Sequence, residues 1–142
     1  MLLDTNVVSE LRKVGDGRAD PRVVAFFSEI DQADLYLSAI TLMELELGVR
    51  RTERRDFLQG ELLRTWISRH VIPSFHDRIL PVDGAVAVCC AHLHVPDARP
   101  ERDALIAATA IVHGLTVVTR NIADFTPMEV PTINPWEHPH ST

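Results

Sequence analysis

MLLDTNVVSE, residues Met1 to Glu10, is the stretch that decides the fold of this chain. Met1, Leu2 and Leu3 form an apolar run that is too short for a helix, and the acidic Asp4 ends it. This pattern predicts a buried strand that opens into a loop. A carboxylate at the carboxyl end of the first strand lies at the edge where open α/β sheets bind their ligands. Asp4 is therefore the first candidate for a functional residue.

The length and composition limit the kind of protein. The chain has 142 residues, 46% hydrophobic and 24% charged, which predicts one globular domain over residues 1–142. Its apolar runs are shorter than the roughly 20 residues of a membrane span, and no cleavable leader precedes Asp4, so we expect no membrane contact and a cytoplasmic location. The net charge of -6 argues against a protein that coats nucleic acid, but not against an enzyme that acts on it.

Predicted strands alternate with predicted helices along the whole chain. Apolar and β-branched runs indicate strands at residues 1–3, 35–38, 79–80, 115–119 and 130–133. Helical periodicity and capping residues indicate six helices, at residues 7–13, 21 onward, 41 to about 48, 53–70, 85–93 and 101–113. The helix at 53–70 is expected to be broken or weakened at Gly60. Thr5 or Asn6 is the expected cap of the first helix. Such alternation implies an α/β protein with a parallel sheet covered on both faces.

Three further acids occupy positions equivalent to that of Asp4. Glu44, Asp103 and Asp124 each come just after a predicted strand or in the first turns of the helix that follows one. In an α/β sheet these positions lie along one rim. The functional interpretation is a pocket of four carboxylates that holds a divalent cation.

Each of these acids also has an ordinary structural explanation. Thr41 and Glu44 fit a capping box, in which the glutamate bonds back to the start of its own helix. Asp103 lies in a first helical turn, where the helix dipole favours negative charge. Asp124 suits a turn. Asp4 is the hardest to explain this way, because a charge that follows a buried strand must be paired or coordinated.

Other charged and reactive residues receive weaker interpretations. Arg50, Arg51, Arg54 and Arg55 recur at helical spacing, and either bind RNA or a partner or form a solvated surface with nearby acids. Asp97 competes for a place near the acidic site. The adjacent Cys89 and Cys90 are expected to be small buried hydrophobic residues, and we assign no metal role to them or to the histidines.

Four segments carry a resemblance to a known family. The segments are LLDTNVVSE at 2–10, SAITLMELELGV at 38–49, RDALIAATAIVHGLTVVTRNIADF at 102–125 and INPWE at 133–137. In this order they resemble the PIN-domain ribonucleases, specifically the toxins of VapBC-type toxin-antitoxin pairs, including the FitB-like branch. The resemblance implies a three-layer α/β/α fold with a five-stranded parallel sheet. It places the four acids, Asp4, Glu44, Asp103 and Asp124, on the family's acidic positions, and Asn6, Thr119 and Asn121 on its polar positions around the metal.

The resemblance also implies an activity. The expected function is a metal-dependent endoribonuclease that cuts single-stranded RNA to leave 5′ phosphates, as the toxin of a type II toxin-antitoxin system. Mg²⁺ suits carboxylate oxygens, with Mn²⁺ as a second choice. We expect Asp4 and Asp103 to bind the metal directly and Glu44 and Asp124 to act as outer ligands. Thr119 and Asn121 are expected to contact substrate or support these ligands.

The expected partners are RNA, a VapB-type antitoxin and a second copy of the chain in a homodimer. Leu62, Leu63, Trp66 and Ile67 offer a candidate partner surface, although burial within the monomer is the ordinary fate of such a stripe. A response-regulator receiver or a haloacid-type phosphatase fits poorly, because position 6 is Asn and Lys13 is the only lysine. The alternative function is a non-catalytic binding module whose acids receive an arginine from a partner.

Overall fold

The computed structural model describes residues 1–139, in which five short strands alternate with helices. The strands are β1 Leu2–Leu3, β2 Leu37–Ser38, β3 Ile79–Leu80, β4 Val117–Val118 and β5 Thr132–Ile133. The helices are α1 Thr5–Arg12, α2 Pro21–Ser28, α3 Ala39–Arg55, α4 Phe57–Trp66, α5 Ile72–Ser74, α6 Gly84–Leu93, α7 Glu101–His113 and α8 Ile122–Phe125. A π-helical turn, Ile67–Val71, connects α4 to α5. All five predicted strands are present; β3 has its predicted bounds, and the other four strands are shorter than predicted.

The strands form a parallel arrangement in the order β3-β2-β1-β4-β5. β4 pairs with β1 and with β5, and β2 pairs with β3. The two groups are joined by a parallel bridge between Leu2 and Tyr36. There, the Leu3 N–H donates to the Tyr36 carbonyl at 3.0 Å and the Tyr36 N–H donates to the Met1 carbonyl at 2.8 Å. This confirms the predicted α/β class with five parallel strands and places β1 at the centre.

Helices cover both faces of the sheet. Successive residues of a strand point to opposite faces, and Leu2 and Leu3 accordingly enter two different hydrophobic clusters. Leu3 packs with residues of α1 to α4, whereas Leu2 packs with residues of α6 and α7. Both leucine side chains are completely buried. The sheet with its two helical layers therefore holds the carboxyl ends of β1, β2 and β4 in fixed relative positions.

Several predicted helix ends differ from the observed ones. Asp4, not Thr5 or Asn6, caps α1, and its side chain accepts the Thr5 N–H. α3 does not stop near Gly48 but continues to Arg55, because a helical glycine costs only about 1 kcal/mol and the helix buries Leu45 and Val49 around it. The predicted 53–70 helix is divided at Asp56, whose backbone is extended and whose side chain caps α4.

Gly60 has a packing role instead of weakening its helix. It is buried, and a Cβ built on it would lie 2.7 Å from the Cα of Glu53 and 2.8 Å from its backbone N. α3 and α4 therefore approach closely at this point, which only glycine permits. On the opposite side of α4, Leu58 and Leu62 are exposed.

No helix in the part of the chain that the structure describes is long and apolar enough to cross a membrane.

Candidate active site

Asp4 lies at the carboxyl end of β1 with both oxygens hydrogen-bonded. Oδ1 accepts the Thr5 N–H at 2.8 Å, and Oδ2 accepts the Thr119 hydroxyl at 2.8 Å and the Asn6 amide at 3.3 Å. Thr119 follows β4, the neighbour of β1, and is completely buried. Because the Asp4 side chain is itself only 7% exposed, these bonds hold its carboxylate in one orientation.

A second set of hydrogen bonds holds these partners in turn. The Asn121 N–H donates to Thr119 Oγ1 at 3.0 Å, and the Arg120 N–H donates to Asn6 Oδ1 at 3.2 Å. Asn6 and Thr119 thus lie beside Asp4. Asn121 joins the network through its backbone, and its side chain is exposed at the rim of the site.

Glu44 faces the start of α1 instead of capping its own helix. Its Oε1 accepts the Thr5 hydroxyl at 2.8 Å, and its Oε2 lies 3.7 Å from the Arg102 guanidinium. The cap of α3 is Ser38, whose hydroxyl accepts the Thr41 N–H. The capping-box explanation of Glu44 is therefore wrong. Sequence reasoning missed Thr5 as a site residue, although its position directly after Asp4 was a signal.

Asp103, in the first turn of α7, completes the group with Asp124 of α8. Burial, followed by the charges of Asp4, Asp124 and Glu44, raises the pKa of Asp103 to about 6. Burial also raises the pKa of Asp4; hydrogen bonds from Thr119 and Thr5 oppose this, and the charges of Glu44 and Asp124 add to it. The four acids are therefore near enough for their charges to influence Asp4 and Asp103, although among residues 1–139 no three of them offer oxygens that all lie within 4.8 Å of one another. Asp97 is exposed in the loop between α6 and α7.

This donor set suits a hard divalent cation. All four side chains offer carboxylate oxygens, which Mg²⁺ prefers over nitrogen or sulfur ligands. Burial is the largest cause of the raised pKa values of Asp4 and Asp103, and the charges of neighbouring acids add to it, so a bound cation would favour the ionised carboxylates. The residues present therefore fit the metal that the sequence predicted.

A second possible metal group was not predicted. Atoms of Cys90, His94 and Glu101 that can bind a metal all lie within 4.8 Å of one another. Cys90 lies on α6 and His94 caps the end of that helix four residues later, a spacing that brings two side chains to the same side of a helix. However, the Arg99 N–H donates to His94 Nδ1 at 3.0 Å, which puts the proton of a neutral imidazole on Nε2. Coordination through Nε2 would require this bond to break, so the group is a weaker candidate than the four carboxylates.

The arginine cluster lies in the C-terminal part of α3. Arg50 pairs with Glu46 at 3.2 Å. Within residues 1–139, Arg51, Arg54 and Arg55 have no carboxylate within 4 Å. All four side chains are exposed, so the alternatives of a partner-binding and a solvated surface both stay open.

A parallel α/β sheet with a carboxylate pocket at its carboxyl edge defines the general class of this protein. Residues 1–125 match the PIN domain, and the chain belongs to the PIN-domain family.

Individual relatives cover almost the whole chain. Toxin FitB of Neisseria gonorrhoeae is 38% identical over 96% of this chain and 98% of its own length. VapC ribonuclease Y4jK of Sinorhizobium fredii is 36% identical over 96% of this chain and 98% of its own length. Among solved structures, FitAcB from Neisseria gonorrhoeae superposes with a TM-score of 0.85 at 37% identity, covering 96% of this chain and 98% of the other. FitAB bound to an IR36 DNA fragment gives 0.82 at 34% identity, covering 99% of both.

Proposed function

We propose that this chain is a metal-dependent endoribonuclease that cleaves single-stranded RNA, as the toxin of a type II toxin-antitoxin pair. The observation that carries this proposal is the pocket of four mutually acting acids, with Asp4 fixed at the carboxyl end of the central strand. Relatives named as a toxin and as a VapC ribonuclease support both parts of it. The site of action would be the cytoplasm, where cellular RNA is available.

The residues have distinct proposed roles. Asp4 and Asp103 would hold the cation directly, while Glu44 and Asp124 would act as outer ligands or orient water. Bound Mg²⁺, or Mn²⁺ in its place, supplies a polarised phosphoryl oxygen and a more acidic water. Thr119 and Asn6 keep the Asp4 carboxylate aimed into the pocket through their hydrogen bonds. Asn121, exposed at the rim, contacts the substrate.

The proposed protein partner is a VapB-type antitoxin. Solved structures of similar chains include FitAB and other toxin-antitoxin complexes. A groove of about 380 Å³ lies between α1, α2 and the segment 66–75, with apolar walls that include Leu11, Phe27 and Trp66. An amphipathic helix of an antitoxin fits such a groove.

The candidate partner surface formed by Leu62, Leu63, Trp66 and Ile67 is only partly exposed in the structure. Ile67 is buried and Leu63 and Trp66 are half-buried, so these three side chains pack within the protein. Leu62 is exposed next to Leu58 and offers contact area for the antitoxin or for a second copy in a homodimer.

The decisive experiment is cleavage of a single-stranded RNA oligonucleotide by the purified chain, in Mg²⁺ and in chelator. We expect cleavage in Mg²⁺ only, with 5′ phosphate ends, and a loss of more than about 100-fold in Asp4→Asn or Asp103→Asn. Asp77→Asn, which changes an acid that is 80% exposed, is the matched control and should retain the parental rate. A folded parent without activity in Mg²⁺ or Mn²⁺ would instead favour the non-catalytic binding module.

A further inference from the structure

Arg102 is the one positive side chain that contacts the acidic pocket. Within residues 1–139, no other Lys, Arg or His nitrogen lies within 4 Å of a carboxylate of Asp4, Glu44, Asp103 or Asp124. Arg102 precedes Asp103 in the first turn of α7 and extends toward Glu44 on α3.

The contact between Arg102 and Glu44 is loose. The Nη1 to Oε2 distance of 3.7 Å is longer than the 2.7–2.9 Å of a charge-assisted hydrogen bond. In contrast, Thr5 holds the other oxygen of Glu44 at 2.8 Å. The Arg102 side chain is 47% exposed, so solvent screens the pair and it contributes little to folding. The guanidinium can therefore leave Glu44 at small cost.

This guanidinium is suited to bind a polyanionic substrate. A pocket of four carboxylates repels a phosphodiester, and a cation at the rim offsets that repulsion. Arginine presents a planar fork of donors that matches two phosphate oxygens. The Arg102 side chain is 47% exposed beside Glu44, so its guanidinium is also open to a phosphate that approaches from solvent.

We propose that Arg102 is a phosphate-binding residue that exchanges Glu44 for an RNA phosphodiester when the substrate reaches the mouth of the pocket. This inference rests on the proposed ribonuclease function. It has two consequences: removal of Arg102 weakens RNA binding, and it strengthens metal binding because Glu44 loses a competing cation.

The test compares Arg102→Ala, Arg102→Lys and the control Arg18→Ala. Arg18 carries the same charge in an exposed ion pair with Asp16, in the turn that follows the far end of α1. Binding of a labelled single-stranded RNA is measured by fluorescence anisotropy in chelator at several salt concentrations. Arg102→Ala should lower the affinity and reduce the slope of log K against log salt by about 0.7, the value of one phosphate contact on a single strand. Arg102→Lys should recover part of the affinity, and Arg18→Ala should match the parent.

Two further readouts separate phosphate binding from a structural role. In Mg²⁺ kinetics, Arg102→Ala should raise KM while kcat stays near the parental value. In thermal melts, its half-maximal Mg²⁺ stabilisation should occur at a concentration about two- to fivefold lower than in the parent. Equal salt slope, KM and Mg²⁺ response in Arg102→Ala and Arg18→Ala would overturn the inference. If the parent cleaves no RNA, the proposed function fails, but the anisotropy and melting results still decide the role of Arg102.

Discussion

The hydroxyl of Thr119 donates a 2.8 Å hydrogen bond to the carboxylate of Asp4, although the two residues are 115 positions apart in the chain. The parallel pairing of β4 with β1 brings them together, because both residues directly follow paired strands. Through this bond the sheet fixes the orientation of the most buried acid in the pocket.

Thr119→Val should weaken metal binding while the protein stays folded. The valine keeps the volume but removes the donor to Asp4 Oδ2 and the acceptor of the Asn121 N–H. Loss of such a supporting bond typically costs 10- to 100-fold in metal affinity or activity, so the Mg²⁺ concentration for half-maximal cleavage should rise by about that factor. Thr109→Val is the control, since Thr109 is equally buried but bonds only to the Leu105 carbonyl of its own helix. Equal Mg²⁺ requirements in the two variants would remove Thr119 from the site.

Substitution of Glu44 should change RNA cleavage, whereas substitution of Ser38 should change the stability of the fold. Glu44→Gln removes a charge from the pocket and should reduce cleavage severely with little change in melting temperature. Ser38→Ala removes the cap of α3 and should cost about 1 kcal/mol of stability while cleavage is retained. RNA cleavage rates and urea unfolding of both variants test this pair. An active but destabilised Glu44→Gln would restore the helix-capping explanation.

The metal-free protein should lose stability between about pH 4 and pH 6. The pKa of Asp103 is raised to about 6 in the folded state, so the folded chain binds more protons than the unfolded chain in this interval. Stability therefore falls as the pH rises through this range and stays low above it. Asp103→Asn abolishes this titration, and among residues 1–139 its side chain has no hydrogen bond to lose. Its melting temperature in chelator should exceed that of the parent at pH 7.5, and the difference should vanish near pH 4.

Melts of both proteins with Mg²⁺ at pH 7.5 complete this test. The cation should stabilise the parent by about 1.4 kcal/mol at ten times its Kd, and Asp103→Asn by less. Asp77→Asn should follow the parent throughout. An Asp103→Asn variant that melts below the parent in chelator at pH 7.5 would contradict the raised pKa of Asp103.

Two glycine substitutions should have opposite effects on stability. Gly60→Ala places a Cβ against the backbone of Glu53, so α3 and α4 must separate and the melting temperature should fall. In Gly48→Ala the new Cβ meets nothing within 4 Å, so helix propensity should stabilise the protein by about 0.5–1 kcal/mol. Thermal and urea unfolding measure both changes. Equal destabilisation by the two substitutions would show that the approach at Gly60 is not the cause.

The sequence determined the order of elements and the identity of the candidate acids. Short apolar runs that alternate with helical periodicity specify a parallel α/β sheet, because only buried strands and amphipathic helices satisfy those patterns. The same pattern identified Asp4, because it places a charged residue at the end of a buried strand. The predicted helix end at Gly48 and the predicted weakening at Gly60 were wrong, because the low helix propensity of glycine is a small effect compared with the packing of α3 and α4.

Only the tertiary structure decided how these residues meet. Glu44 satisfies its sequence pattern for a helix cap, yet the fold turns it toward Thr5 and Arg102, partners that no spacing in the chain reveals. The raised pKa of Asp103 likewise depends on its burial and on charges from three other elements. Hydrogen bonds and electrostatic interactions act through space, and the distances that set them exist only once the sheet has formed and its helices have packed against it.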